Sequence, residues 1–573
     1  MHKLRHGFFR GMWNLTKQYW RSEERWRAFG LLAAIVILTL GHVYMLVQFN
    51  EWYNEFYSAI QNYDQDGFFA AIKYFIILAA IYIIVAVYEI YLRQMLEIKW
   101  RNWLTRYYLG HWLNKRAYYF MQVFHEGTDN PDQRISEDIR LFVSMALSLS
   151  IGLLKAVVTL VSFVVILWKL SGVLTVPFAG KDYVIPGYMV WLSLIYAVIG
   201  TWLTVKIGRP LVKINFNQQR YEADFRFGLV RLRENSESIA FYNGEKQEAA
   251  GLTKRFVQVV GNYWTLMRRQ KKLTWFTAGY GQLAVIFPLL MAAPRYFSKN
   301  ISLGGLLQTT SAFGRVQDAL SYFVDNYSTL AEWLAVVNRL LGFVEDVNKV
   351  QKLATPSDIM IDYTADNVVG FKGFDVYLPN GEVLLSDLAI NLKAGDSLLI
   401  TGQSGAGKST LLRTLAGIWP FCRGKLVLPK AYDALFLPQK PYLPLGSLRD
   451  CLLYPGTDGV VSDDVLKKVL VKCRLEGLID ELDKVDNWQQ ILSLGEQQRI
   501  AFARALIGQP TWLFLDEATS GLDEELEAVM YALVQNELPE TAIISVGHRN
   551  TLVDYHQMKL HFMEKGHWQL LAE

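Results

Sequence analysis

The chain has 573 residues, 52% hydrophobic and 14% aromatic, with a formal net charge of +4. That is too long for one compact domain, and so small a charge, without a basic stripe interleaved with aromatics, gives no case for nucleic acid as a partner. Cys422, Cys451 and Cys473 lie late and far apart, without metal-ligand spacing, which argues against a disulfide framework and fits a reducing compartment.

Residues 1–27 carry no signal-peptide pattern. Trp13, Tyr19, Trp20 and Trp26 alternate there with Lys and Arg, so an amphipathic helix on a membrane surface is expected. A transmembrane domain should occupy 28–343. Apolar runs long enough to cross a bilayer lie at about 28–49, 68–92, 141–168, 183–207 and 273–293. A sixth, near 303–328, carries Gln308, Thr309, Thr310 and Arg315. Hydropathy leaves it open, but an even number of spans is needed to return the chain to its starting side.

The loop after span one lacks Lys and Arg, whereas Lys99, Arg101, Arg106, Lys115 and Arg116, and the stretch from Arg209 to Lys272, are basic. The positive-inside rule then places both termini and these long loops in the cytoplasm. Residues 93–140 and 208–272 should continue the membrane helices beyond the bilayer. Short helices are expected at "EGTDNPDQRISEDI", with Pro131 at the turn and Asn130 as cap, and at "IAFYNGEKQE". Ionisable residues inside spans point to function. Lys155, mid-span three, is a candidate for a water-filled path, with pairing to an acid on a neighbouring helix as the alternative. Glu89 is expected to reach the interface.

Composition shifts near 345, where "EDVNKVQKLATPSD" reads as a linker over 344–354. From 355 to 573 the pattern is that of an α/β domain. Leu398 to Thr401 predicts a buried strand. Gly402, Gln403, Ser404, Gly405, Ala406, Gly407, Lys408 and Ser409 then match G-x-x-x-x-G-K-[ST], and Thr410 leads into an apolar-periodic helix. Such glycines let backbone N–H groups close around phosphates at a helix N-terminus. Lys408 should hold the β/γ-phosphates and Ser409 a Mg2+ ion. A second strand, Trp512 to Leu515, ends in Asp516 and Glu517. Asp516 should position Mg2+ through water, and Glu517 should polarise the attacking water.

With these motifs in place, the C-terminal domain resembles the nucleotide-binding domain of ATP-binding cassette (ABC) proteins. "LPQKPYLPLGSLRD" resembles the Q-loop, which implies that Gln439 touches Mg2+ and water. "LSLGEQQR" resembles the signature, implying that Ser493 and Gly495 face the γ-phosphate of an opposite subunit; Leu494 and Glu496 stand where Gly and Gln are usual. "SGLD" resembles the D-loop, with Gly521 where Ala is usual, and "ISVGHR" the switch, with His548 on the γ-phosphate. The family's adenine-stacking aromatic precedes a Pro. Here Leu378 does, and Tyr377 takes the role only if its strand bulges.

Six spans and one cassette resemble an exporter-type half-transporter: a membrane α-helical bundle fused to an α/β P-loop domain. "NPDQRISEDI", "GIWP" and "KPYLPLGSLRD" are similar to subfamily D, the peroxisomal acyl-CoA transporters, and its YddA-type bacterial relatives. The membrane half is similar to SbmA/BacA-type peptide importers. The resemblance implies ATP, Mg2+, a homodimer and a bacterial inner membrane. It leaves the cargo open between peptide-like or bulky hydrophilic compounds, corrinoids included, and amphipathic acyl compounds. An ATP-gated channel or a membrane-anchored regulatory ATPase is the reading from another class.

Overall fold

The computed structural model describes residues 8–124, 130–178, 181–354, 359–456, 461–563 and 566–572. They form two compact units, Met1–Asn114 with Thr128–Glu345, and Lys115–Gly127 with Asp346–Glu573.

The first unit is a helical bundle. Its elements begin with α1 (Phe8–Trp20), α2 (Arg25–Gln61) and α3 (Gln65–Leu113); α4 (Ala117–Val123) clusters with the second unit. After α5 (Pro131–Gln133) and a π-helical turn come α6 (Ile139–Ser171) and a hairpin of β1 (Val173–Phe178) and β2 (Lys181–Pro186). Then follow α7 (Tyr188–Glu234), α8 (Ser236–Phe241), α9 (Glu245–Phe297), α10 (Leu303–Asp325) and α11 (Tyr327–Leu353). Helices α2, α3, α6, α7 and α9 contain stretches long and apolar enough to cross a membrane. At 49, 47 and 53 residues, α3, α7 and α9 far exceed the roughly 20 residues a bilayer needs, so they continue well past their apolar windows.

The polar sixth segment is helix α10, packed among α2, α6, α7 and α9. Its Ala312, Phe313 and Val316 share a core with Leu46, Phe163, Leu167 and Met189. Two of its polar groups are answered inside the bundle: Asn50 Nδ2 donates to the Gln308 carbonyl (3.0 Å) and Thr309 Oγ1 to the Gly305 carbonyl (2.7 Å). Such internal partners are what a polar helix needs in order to lie within a bilayer. Helices α7 and α9 meet through Tyr196 and Tyr280, whose rings stack at 4.3 Å and whose hydroxyls donate to each other's carbonyls (2.6 and 2.9 Å). Gly200 is required there, since a Cβ would lie 2.2 Å from the Tyr280 ring.

Several expectations change. Lys155 does not stand alone. Its Nζ lies 3.1 Å from His42 Nε2, and His42 Nδ1 lies 3.0 Å from Glu89 Oε2. Glu89 Oε1 also accepts from Thr39 (3.2 Å). Glu89 therefore turns into the bundle instead of reaching the interface, and its chain to Lys155 supplies the partner that a charge at this depth needs. At the first loop tip the short helix is α4, not the polar stretch. Ala117, Phe120 and Met121, at i, i+3 and i+4, are its buried face. Residues 125–129 lie outside the described residues. Asn130 makes no side-chain cap, and Pro131 opens the helical run that continues as α6, in keeping with proline's preference for the first helical position. Asp138 of that run is buried and accepts from Arg134 (2.9 Å) and from Arg339 (2.8 and 2.6 Å). At the second tip the short helix α8 lies earlier than expected: it ends at Phe241, and the rest of the stretch is a turn and the first residues of α9. Helix α1 lays Leu15 and Tyr19 inward, Tyr19 stacking on Trp100 at 5.6 Å, while Trp13 is exposed. The stretch read as a linker is helical to Leu353, with Val347 and Val350 fully buried. The fourth span starts only after the β1–β2 hairpin, which an alternating Val-Leu-Thr-Val run between Gly172 and Gly187 forms.

Among its described residues the second unit carries two large sheets and one two-stranded pair. β3 (Ile359–Thr364), β4 (Val368–Tyr377), β5 (Val383–Lys393) and β7 (Cys422–Pro429) pair in the order β3-β7-β4-β5. β6 (Ser397–Gly402), β8 (Ala434–Leu437), β11 (Trp512–Asp516), β12 (Ala542–Val546), β13 (Met558–Phe562) and β14 (Trp568–Ala572) pair in the order β14-β13-β6-β12-β11-β8. The short β9 (Gly446–Ser447) and β10 (Val485–Asp486) pair with each other. The helices are α12 (Lys408–Leu415), α13 (Leu448–Leu453), α14 (Asp463–Lys472), α15 (Trp488–Ile491), α16 (Leu494–Gly508) and α17 (Glu524–Glu537). In the six-stranded sheet every pairing but β13–β14 is parallel. The strands facing both layers read as unbroken apolar runs: Leu398 to Ile400, Trp512 to Leu515 and Ala542 to Val546 are all buried. β6, β12 and β11 are neighbours, so their C-terminal ends deliver three loops to one place.

Candidate active site

β6 delivers the phosphate loop. Gly402, Gly405 and Gly407 have φ of 142°, 85° and 92°. At Gly402 a Cβ would also lie 2.6 Å from the Phe562 carbonyl oxygen. Gly407 caps α12, where the first N–H groups of the helix have no intrahelical acceptor. Ala406 packs toward the core, while Gln403, Ser404 and Gly405 are exposed. Lys408 is buried and folds back on the loop, donating to the carbonyls of Gly402 (2.9 Å) and Gln403 (2.8 Å). Burial pulls its pKa below the ordinary lysine value, opposed by the carboxylates of Glu517 and Asp516. Thr410 follows in the first turn, its carbonyl accepting from Thr414 Oγ1 (3.0 Å).

β11 brings the carboxylates. Ser409 Oγ donates to Asp516 Oδ1 at 2.7 Å. Glu517 sits in the left-handed region, φ 49°, which a non-glycine residue occupies only under constraint. Its N–H donates to the Val546 carbonyl (3.0 Å). Gln439 Nε2 donates to its Oε2 (2.9 Å), and His548 Nε2 lies 3.4 Å from its Oε1. The residues expected from three separate loops, Gln439, Glu517 and His548, thus meet at one carboxylate.

Ser493 N-caps α16. Its hydroxyl donates to Glu496 Oε2 (2.7 Å) and accepts from the Glu496 N–H (3.3 Å), while the Ser493 N–H donates to the same carboxylate (2.9 Å). This is a complete capping box; the unusual Glu496 holds the serine in place. Gly495 approaches the D-loop so closely that a Cβ would lie 2.8 Å from the Gly521 carbonyl oxygen. Tyr377 ends β4 beside a register shift at Val376/Tyr377. Its hydroxyl donates to Asp375 (3.1 Å) and its carbonyl accepts from Trp419 Nε1 (2.9 Å). Leu384 is the side chain nearest Gly407.

Three further residues organise the site. Gln498, fully buried on α16, donates to the Gln439 carbonyl (2.8 Å) and to Ser520 Oγ (3.1 Å), and accepts from the Gly521 N–H (2.9 Å). Glu527, buried on α17, accepts from Thr519 (2.6 Å), Thr551 (2.8 Å) and Arg549 (3.3 Å), joining the D-loop to the segment after His548. Arg116, just before α4, donates to the Ala416 carbonyl (2.6 Å), and Phe124 meets Phe421 edge-on at 5.3 Å. The residues on either side of the "GIWP" motif, Ala416 and Phe421, thus meet the segment that carries α4. Gln498 lies beside the likewise buried Gln497, amid buried Ile500, Ala501 and Phe502, and nothing in the sequence singles it out.

Residues 15–297 match the family model for ABC transporter transmembrane region 2, and residues 385–520 that for ABC transporter. The Escherichia coli inner membrane ABC transporter ATP-binding protein YddA is 34% identical over 93% of this chain and 94% of its own. The human lysosomal cobalamin transporter ABCD4 is 26% identical over 94% of this chain and 92% of its own. A solved bacterial Atm1-family ABC exporter with ATP bound shares the fold with a TM-score of 0.71 at 18% identity, over 95% of this chain and 94% of that one. With membrane region and ATPase domain on one polypeptide, the chain belongs to the ABC transporter family, as a half-transporter driven by ATP hydrolysis.

Proposed function

We propose that two copies pair about a two-fold axis, and that each ATP lies between the phosphate loop of one copy and Ser493 and Gly495 of the other. One chain carries one phosphate loop and one signature, so a closed two-site assembly needs a second copy, most simply an identical one. Gly402 to Thr410 wrap the phosphates, with Lys408 released from its loop carbonyls to the β/γ-phosphates. Tyr377 is the aromatic candidate for adenine. Ser409 spends its proton on Asp516, which leaves its lone pairs free for a cation; the pair fits Mg2+, aided by Gln439. Mg2+ bound there neutralises phosphate charge.

The observation that carries the reading is the convergence of Gln439 and His548 on the Glu517 carboxylate. Glu517 accepts a proton from water as that water attacks the γ-phosphate, and His548 holds the γ-phosphate. Hydrolysis separates the two cassettes, and the membrane helices rearrange. Purified Glu517→Gln protein in nanodiscs should bind ATP and lose nearly all turnover; turnover at the wild-type rate would remove Glu517 from the reaction.

The cargo we propose is a bulky hydrophilic compound, peptide-like or corrinoid, taken up across a bacterial inner membrane with both termini cytoplasmic. The polar run Gln308 to Ser311 in the sixth apolar segment supports a wet interior, and the cobalamin named for the human relative supports a corrinoid. Stimulation of ATPase by cobalamin or peptides, followed by uptake into proteoliposomes, tests this. Stimulation by acyl-CoA alone would favour an amphipathic acyl cargo. Ion conductance without uptake would favour a gated channel.

A further inference from the structure

Two of the positions that depart from the family pattern lie in neighbouring loops: Leu494 stands where Gly is usual and Gly521 where Ala is usual. In the fold they touch. A Cβ added to Gly521 would lie 2.9 Å from Leu494 Cγ, 3.1 Å from Gln498 Oε1 and 3.2 Å from the Gly495 nitrogen. Leu494 Cγ is the branched centre of a short side chain, so to yield the partly exposed leucine must change rotamer or the turn must move. The other two atoms are held, because Gln498 is fully buried and hydrogen-bonded at both ends and Gly495 is backbone. Gly521 is not in the left-handed region, so its conformation is open to alanine and only the space is not. From the other side, Gly495 leaves no room above the Gly521 carbonyl.

We infer that Leu494 and Gly521 form one steric lock that fixes the signature turn to the D-loop of the same chain, with Leu494 as a positioning residue for hydrolysis. The lock continues into the site: the Ser520 N–H donates to the Glu517 carbonyl (3.0 Å), and Gln498 ties both loops to Gln439. This deepens the two-copy reading and rests on it. The signature senses the ATP held by the other copy, the D-loop leads back to this copy's Glu517, and the lock makes the two move together. The two unusual residues are therefore one compensated change, and restoring the usual residue at only one of them is harmful.

The test is a double-mutant cycle on full-length protein in nanodiscs. Gly521→Ala should lower kcat about ten-fold by overpacking, while affinity for a fluorescent ATP analogue, read at the untouched phosphate loop, stays within about two-fold. Leu494→Gly should lower the Hill coefficient for ATP toward one. The Leu494→Gly, Gly521→Ala double variant should recover most of the lost kcat, a rescue that independent effects cannot give. Gly521→Ala at more than about half the wild-type kcat, or a double variant no faster than Gly521→Ala, would overturn the lock. If the wild type itself lacked ATPase, the two-copy reading would fail separately. The lock would then be judged by melting temperature: lowered in Gly521→Ala and restored in the double variant, or overturned if the two melt alike.

Discussion

Replacing Glu527 by Gln isolates the charge that joins the D-loop to the switch segment. The carboxylate is 2% exposed and accepts from Thr519, Thr551 and Arg549. Glutamine keeps the shape and one carbonyl oxygen. Either threonine can rotate its hydroxyl to accept from the new amide. Arg549 cannot, because a guanidinium only donates, so the amide oxygen takes the place of Oε2 and keeps Arg549 and Thr519, and Thr551 turns to accept from the amide. The net loss is the ionic part of the Arg549 bond, about 1 kcal/mol. For a cassette of this size that lowers Tm by about 2–4 °C. Scanning fluorimetry of the full-length protein reads the shift. ATPase kinetics should show a lower kcat with an unchanged ATP affinity, since no phosphate-loop residue touches Glu527. A Tm within about 1 °C of wild type together with an unchanged kcat would refute the claim that this carboxylate holds the two loops.

His556 predicts a pH dependence. Its Nδ1–H donates to the Leu552 carbonyl (2.7 Å), and its Nε2 accepts from Ser545 (2.8 Å), which in turn accepts from Tyr531 (3.1 Å). Burial holds its pKa below the ordinary 6.5. The unfolded chain therefore takes up a proton that the folded cassette refuses. The stability that neutral His556 contributes is complete above 6.5 and is lost as pH falls from there through the folded value. Urea melts of the wild type should weaken over that window, and a His556→Asn variant should show a flatter profile; parallel profiles would exclude His556. In the bundle, Lys155→Met should lower thermal stability in detergent by about 2 kcal/mol, through loss of one charged hydrogen bond, and His42→Leu in the middle of the chain by more. A Lys155→Met protein of normal stability that fails to transport would instead put Lys155 on the cargo path.

The phosphate loop and the Asp516–Glu517 pair could be read from the chain because they are contiguous. Strand, glycines and charged residues occur within a few positions, and their chemistry dictates the residue types. Gln439 and His548 became legible only through resemblance, since each is one side chain in a loop whose partner is set by strand order. Gln498 and Glu527 were not legible. A buried polar residue on a helix is defined by the loops that reach it, and those arrive from the ends of β8, β11 and β12. The polar α10 was ambiguous for the same reason: Asn50 answers its backbone from another helix. The α4 seat was misplaced because the polar, proline-bearing stretch drew the tip helix away from Ala117, Phe120 and Met121. Glu496, which stands where Gln is usual, closes a capping box on Ser493.

The most direct test of the account is complementation between two inactive chains. Lys408→Ala spoils the phosphate loop and keeps the signature; Ser493→Arg spoils the signature and keeps the loop. Each should be inactive as a homodimer. When the two are mixed before reconstitution, half of the pairs are mixed under random association, and each mixed pair holds one intact site. The expected ATPase is about a quarter of wild type. A mixture no more active than its parents would contradict the central claim that each ATP is shared between two copies.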